Sequence, residues 1–270
     1  MSEISMKRGL GTPLTYSKEK LIKLYGIDIF AAISSSALVT PFIAVVDRSI
    51  IENLNGKRPL SEGIKYGFRS IVSHPFKFTL SPQFRLVLGL YFSTYATANI
   101  VDTTCEQYSV DPSKSSMYKF MATTVINMSL CIYKDKAFAR MFGVAASHSM
   151  PKLTYFLFAA RDSLTIAASF NAPAYITPLM RDSDWNVSEK TMSTVAQLLC
   201  PAVAQIFSTP VHLYALDLYN RPGATGTMRT QLIRKEYLKS TLARIGRIGP
   251  AFGVGGVGNS YARSLRNNVL

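Results

Sequence analysis

The sequence predicts an all-α membrane protein: six transmembrane helices arranged as three pseudo-threefold-related helix pairs, with a short surface helix inside each pair. Three observations predict it. Long apolar runs recur along the 270 residues, and only 17% of those residues are charged, below the roughly 25% of an average soluble domain. The loops between the runs alternate between strongly basic and slightly acidic. The apolar segments also recur in pairs at a period that suggests an internal repeat.

The first run, Gly26 to Val46, has 21 residues and one charge, Asp28, enough to cross a hydrocarbon core of about 30 Å. Pro41 falls inside it. A mid-helix proline is costly in water, but in a membrane bundle neighbouring helices can satisfy the freed carbonyl. The second run is Leu86 to Val101, preceded by Arg85. The third is Met117 to Tyr133, spotted with Thr and Ser. The fourth, Leu153 to Leu179, is expected to break at Arg161–Asp162 and carries Pro173 and Pro178. The fifth, Met192 to Leu216, carries Pro201 and Pro210, and the sixth, Ile245 to Ala262, is rich in glycine. Small and polar residues recur in all six, as expected of helices that pack closely around a shared interior.

Loop charge separates this reading from a soluble bundle of unusually apolar helices. Between runs one and two, residues 48–82 carry a net +4; between three and four, Lys134, Lys136, Arg140 and Lys152 outweigh Asp135; between five and six, residues 217–247 carry a net +5. The other two loops, 102–119 and 181–190, each carry a net −1. Alternation of this kind follows from the positive-inside rule, with both termini on the less basic side. The net charge of +14 therefore belongs beside an anionic membrane surface, and the long apolar runs argue against nucleic acid as a partner. Basic loops at helix ends also predict bound anionic lipid, such as cardiolipin.

The basic loops are long and the acidic loops short, so the chain reads as one domain, 1–270, of three hairpins over residues 20–105, 112–180 and 188–267. Arg85, Arg161 and Arg247 each open an even-numbered span. On the odd spans Pro41, Ser129 and Pro210 occupy matching places near the basic end. Each is followed by charged residues: Asp47–Arg48, Lys134–Asp135–Lys136, and Asp217 with Arg221.

On these residues the chain resembles the mitochondrial carrier family, as a divergent, degenerate member. That family has three repeats, each a kinked span with Pro-x-Asp/Glu-x-x-Lys/Arg, a matrix-side helix, and a second span often opening on Arg-x-x-Pro. Here the three kinks read Pro41-Phe-Ile43-Ala-Val-Val46, Ser129-Leu-Cys131-Ile-Tyr-Lys134 and Pro210-Val-His212-Leu-Tyr-Ala215. Of the charged positions only Lys134 survives, His212 stands at an acidic one, and Arg48 follows the first motif. The segment Ser61 to Ser73 reads as the first matrix-side helix, and Arg247-Ile-Gly-Pro250 matches the even-span pattern.

The resemblance implies a multi-pass protein of the mitochondrial inner membrane with both termini in the intermembrane space. In the family, the charged residues after the kinks form a ring of ion pairs that closes the matrix side. Its erosion implies that solute exchange is lost. The expected role is then a structural subunit of a respiratory or ATP-synthesising assembly. The alternative is an active atypical carrier exchanging a nucleotide, carboxylate or phosphate, with Arg85, Arg161 and Arg247 binding the anion. Intramembrane charges usually face a cavity, although arginines at a helix end also snorkel to headgroups.

Other signals are weaker. Gly253-Val-Gly255-Gly-Val-Gly258 fits a dinucleotide pattern by letter but lacks the strand before it and the acid after it, and close helix packing explains the glycines better. Cys105, Cys131 and Cys200 read as small apolar packers. His74, His148 and His212 have no ligand spacing, so neither a metal nor a cofactor is expected, and no catalytic motif is present. Asn127-Met-Ser129 and Asn186-Val-Ser188 fit the glycosylation pattern, the first inside a span. Met1 to Lys23 has no apolar stretch of the kind a secretory signal needs.

Overall fold

The computed structural model describes residues 15–143, 149–170, 172–181 and 188–270. Most of these residues are helical, with no strand among them.

Helix α1, Lys18–Leu54, contains the whole first apolar run and continues into the basic segment beyond it. Ser17 caps it, its hydroxyl accepting from the Lys20 backbone N–H at 3.3 Å, and the chain leaves through Gly56 at φ 68°, a conformation glycine adopts without strain. The short α2 (Leu60–Ser73) and α3 (Pro75–Thr79) follow. Gly67 lets α2 lie on α1, because a Cβ there would collide with the Val45 side chain. Helix α4, Pro82–Gln107, starts on Ser81, and α5, Pro112–Phe142, on Asp111; both have proline in the first turn, where the missing N–H is of no consequence.

Helix α6, Lys152–Phe170, runs without interruption through Arg161–Asp162, contrary to the break expected there. The two charges pair with neighbouring helices and with each other, so the run can stay helical. Helix α7 is Ala172–Arg181 and α8 is Glu189–Asn220, with Pro201 and Pro210 inside it. The carbonyl of Ile206, which Pro210 deprives of its helical partner, accepts the Tyr237 hydroxyl at 2.9 Å. Residues 217–247, expected as a loop, are mostly helix α9, Gly226–Gly246. A π-helical turn, Gly249–Val254, then leads into α10, Gly255–Arg263, and a 3-10 turn, Ser264–Asn268. The glycine pattern at 253–258 therefore lies in helix. Gly255 brings α10 against α1 and α4, since a Cβ there would fall on the Tyr95 hydroxyl and on Val39.

Packing follows chain order and returns on itself. Helix α1 packs on α4, α4 on α5, α5 on α6, α6 on α8, α8 on α9 and the π turn, and α10 on α1. The distribution of residues is inverted relative to a soluble bundle. Phe30, Leu38, Phe156, Phe207 and Val257 face outward, with Phe207 63% and Val257 68% exposed, while Asp28, Lys134, Asp135, Arg161 and Arg244 lie inside at 3% or less. Water does not favour such an arrangement; a lipid surround does. Helix α1 and the stretch Leu198–Asn220 are long and apolar enough to cross a membrane. The apolar core, including Ile50, Ile51, Phe138, Phe158, Leu213, Leu216 and Tyr219, gathers at the end where the basic segments lie.

Candidate functional site

Directly against that core lies a chain of buried ion pairs. Asp47 of α1 accepts from Lys134 of α5 through one oxygen and from Arg247, just past α9, through the other at 2.5 Å. Lys134 also meets its neighbour Asp135 at 2.9 Å. Asp135 meets Arg161 of α6 at 2.6 Å, and Arg161 closes on Asp162 at 2.5 Å. Arg161 further donates to His212 Nδ1 on α8 at 2.7 Å and lies over the Phe158 ring. Because a guanidinium only donates, Nδ1 must carry a lone pair, so His212 is neutral. Segments distant in sequence are thus joined by charge where water is excluded. Such pairing is strong only if each member keeps its partner.

The sequence made this level look eroded because the acids were sought at Ile43, Cys131 and His212. They come instead from Asp47 and Asp135, four residues further along their helices, and from Asp162. Each was visible as a charge beside a basic residue. Its partner was not, because Asp47 and Arg247 are separated by 200 positions.

The other residues singled out from sequence fall as follows. Arg161 and Arg247 join the ion-pair chain, whereas Arg85 is exposed on α4 and stands outside that chain. Arg48 pairs with Glu52 at 2.7 Å and packs on Tyr66 and Phe142 at the basic end. Ser129 faces outward, and Pro41 and Pro210 sit within unbroken helices. All three cysteines are buried and free, but Cys131 touches Arg161 rather than apolar neighbours alone. His74 joins α2 to α3; His148 and Asn186 lie outside the described residues.

Beside the ion-pair chain is a cavity of about 180 Å³. Lys134, Asp162, Arg244 and Arg247 line it, together with Tyr91, Thr94, Asn127, Thr165 and Gln205. On its far side Thr94 and Tyr95 also form the wall of an open vestibule of about 620 Å³, bordered by Asn99, Asp102, Lys119, Asn259 and Arg263. Tyr95 is held by a bond from its hydroxyl to the Ala251 carbonyl in the π turn, 2.8 Å, and Thr94 by Asn127 at 3.1 Å. A second group of ion pairs ties the vestibule end. Arg263 reaches Asp28 at 2.7 Å and Asp102 at 3.0 Å, Lys119 also meets Asp102 at 3.0 Å, and Arg266 pairs with Glu106. The cavity is therefore closed by charge and apolar packing on one side and screened by two side chains on the other.

A family model described as a probable citrulline exporter matches residues 31–266, and the chain belongs to that family. No curated protein and no solved structure matches it. The match corrects the resemblance to mitochondrial carriers, which rested on repeat spacing and three partial kink motifs, none of them intact. The structural-subunit role falls with it, as does the exchange of nucleotides, carboxylates or phosphate. The supposed loss of gating charges, the physical ground for the subunit role, is answered by Asp47, Asp135 and Asp162. The membrane character stands; the mitochondrial inner membrane followed from the resemblance alone.

Proposed function

We propose that this member of the probable citrulline exporter family is a membrane transporter that moves citrulline, or a neutral amino acid like it, through the central cavity. The observation that carries the reading is that cavity: a small chamber with apolar walls into which charged and hydrogen-bonding side chains project, inside a bundle whose outer surface is apolar, and bordered on the side of an open vestibule by Thr94 and Tyr95. Transport requires access from each side in turn, hence two arrangements of similar energy that the solute can bias. The ion pairs around Asp47 supply a contact set that can open on the basic side, and those around Arg263 a set that can close the vestibule.

The six-span arrangement belongs to the same proposal. Its support is the return of packing from α10 to α1, the outward apolar residues on α1, α5, α6, α8 and α10, and the alternation of loop charge. Anionic lipid at the basic helix ends belongs to it too, supported by the surface hollow that Tyr66, Arg69, Ser70, Ser73 and His74 enclose.

The test is flux. The full chain is reconstituted in liposomes loaded with labelled citrulline, and efflux is followed. Saturable efflux above protein-free vesicles is expected. Efflux equal to that of empty vesicles, from protein shown to be folded, would overturn the reading.

A further inference from the structure

Two side chains on the central cavity carry charge that their neighbours do not fully take up. Arg244 is buried, and among the described residues it meets no carboxylate at ion-pair distance. Its Nη2 donates to Ser208 Oγ at 3.3 Å, and its Nε has no acceptor. Asp162 gives Oδ1 to Arg161, while its buried Oδ2 has no donor. Both line the chamber of about 180 Å³. Lys134, Arg161 and Arg247, by contrast, each hold a carboxylate. A buried polar group without a partner is unfavourable, and two of opposite sign on one chamber call for a ligand carrying both signs.

We propose that Arg244 and Asp162 are the two poles of an amino-acid site, Arg244 taking the α-carboxylate and Asp162 Oδ2 the α-ammonium. The inference rests on the transport reading and deepens it. Three buried cations, Lys134, Arg161 and Arg244, and the partly buried Arg247 face three carboxylates, Asp47, Asp135 and Asp162, while His212 adds no charge. The surplus favours an incoming carboxylate and opposes a cationic side chain. Elsewhere the wall is apolar, with Ile43, Leu90 and Ile248, and carries uncharged hydrogen-bonding groups at Tyr91, Thr94 and Asn127. A neutral ureido group suits that wall, and a guanidinium beside the cation surplus does not. The site therefore selects citrulline-like solutes over arginine, whose side chain differs chiefly in charge.

The experiment compares four probes on the purified full chain: citrulline, arginine, the deaminated analogue ureidopentanoate and the decarboxylated analogue carbamoylputrescine. Binding is read by thermal stabilisation and flux in liposomes. Removing either pole, or adding the side-chain charge, is expected to weaken binding roughly 10- to 100-fold, the scale of one charge-assisted hydrogen-bond set. In Arg244→Gln the preference for citrulline over carbamoylputrescine should vanish, and in Asp162→Asn the preference over ureidopentanoate. The probe comparison on the native chain needs no variant to fold. If citrulline is moved but both truncated analogues bind as well as it does, the two-pole site is overturned and the transport reading stands. Selective binding without flux overturns the transport reading and leaves the site. Failure of citrulline to bind the native chain overturns both.

Discussion

Asp47 and Arg247 stand 200 residues apart in sequence and meet at 2.5 Å inside the bundle, so at this end one carboxylate ties the last third of the chain to its first helix. The same carboxylate takes Lys134. Asp47→Asn would leave the partly buried Arg247 without its carboxylate and the buried Lys134 with Asp135 alone. Breaking a buried pair from one side costs about 3–5 kcal/mol, so the variant is expected to unfold at markedly lower temperature. Asp47→Asn combined with Arg247→Gln should recover part of that loss, because one stranded cation is gone. Thermal unfolding of the detergent-purified single and double variants checks this, and strictly additive losses would contradict it.

The contact between Gly255 and Tyr95 gives a prediction of opposite chemistry, one of space. Any Cβ at 255 meets the Tyr95 hydroxyl. Gly255→Ala should cost about 1–3 kcal/mol, the usual range for overpacking. Tyr95→Phe alone should cost about 1 kcal/mol through the lost bond to the Ala251 carbonyl. Because Phe removes the closest of the colliding atoms, though not Val39, the double variant should be more stable than Gly255→Ala alone. A double variant less stable than both singles would show that the close approach is not the reason for the glycine.

The all-helical class was legible in the sequence, and the boundary of what was legible has a physical cause. Apolar runs locate helices because burial or lipid contact acts on each residue locally, and Gly26 to Val46 lies wholly inside α1. Helix starts were not legible: α1, α4 and α5 begin at their caps Ser17, Ser81 and Asp111, ahead of the apolar runs at Gly26, Leu86 and Met117. Rotation about a helix axis is less legible. Arg85 shares the spacing of Arg161 and Arg247, yet it points outward while they point inward, since one position along a helix turns a side chain by about 100°. The ion-pair chain was least legible. Its members are adjacent to recognisable charges, but which carboxylate meets which cation depends on contacts between distant segments, and a fixed motif register pointed four residues short of Asp47 and Asp135.

At the vestibule end, Asp28 sits within the first apolar run and is wholly buried, accepting from Arg263 at 2.7 Å and from the Thr103 hydroxyl. Arg263→Gln would leave that carboxylate without its cation and is expected to destabilise the fold by about 3–5 kcal/mol. Adding Asp28→Asn should restore most of the loss, since removing both charges of a buried pair is often close to neutral. Thermal unfolding again reports it. A double variant as unstable as Arg263→Gln alone would mean that Arg263 acts mainly through Asp102, its other partner at 3.0 Å.

The bond between Tyr237 and Ile206 yields the cleanest cycle, because the need for it comes from a single missing N–H. Pro210 cannot donate to the carbonyl four residues before it, and the Tyr237 hydroxyl reaches across from α9 to occupy that carbonyl at 2.9 Å. Tyr237→Phe should therefore cost about 1 kcal/mol, the typical net worth of one hydrogen bond. In a Pro210→Ala background the backbone N–H of residue 210 can take the Ile206 carbonyl itself, and the same Tyr237→Phe change should cost close to nothing. The difference between the two costs is the coupling energy of the pair. Denaturation of the four proteins measures it. Equal costs in both backgrounds would show that the hydroxyl stabilises α9 for a reason unrelated to the proline. A cost that disappears with the proline would show that this helix tolerates Pro210 because a neighbouring helix satisfies the carbonyl, as a span surrounded by lipid must.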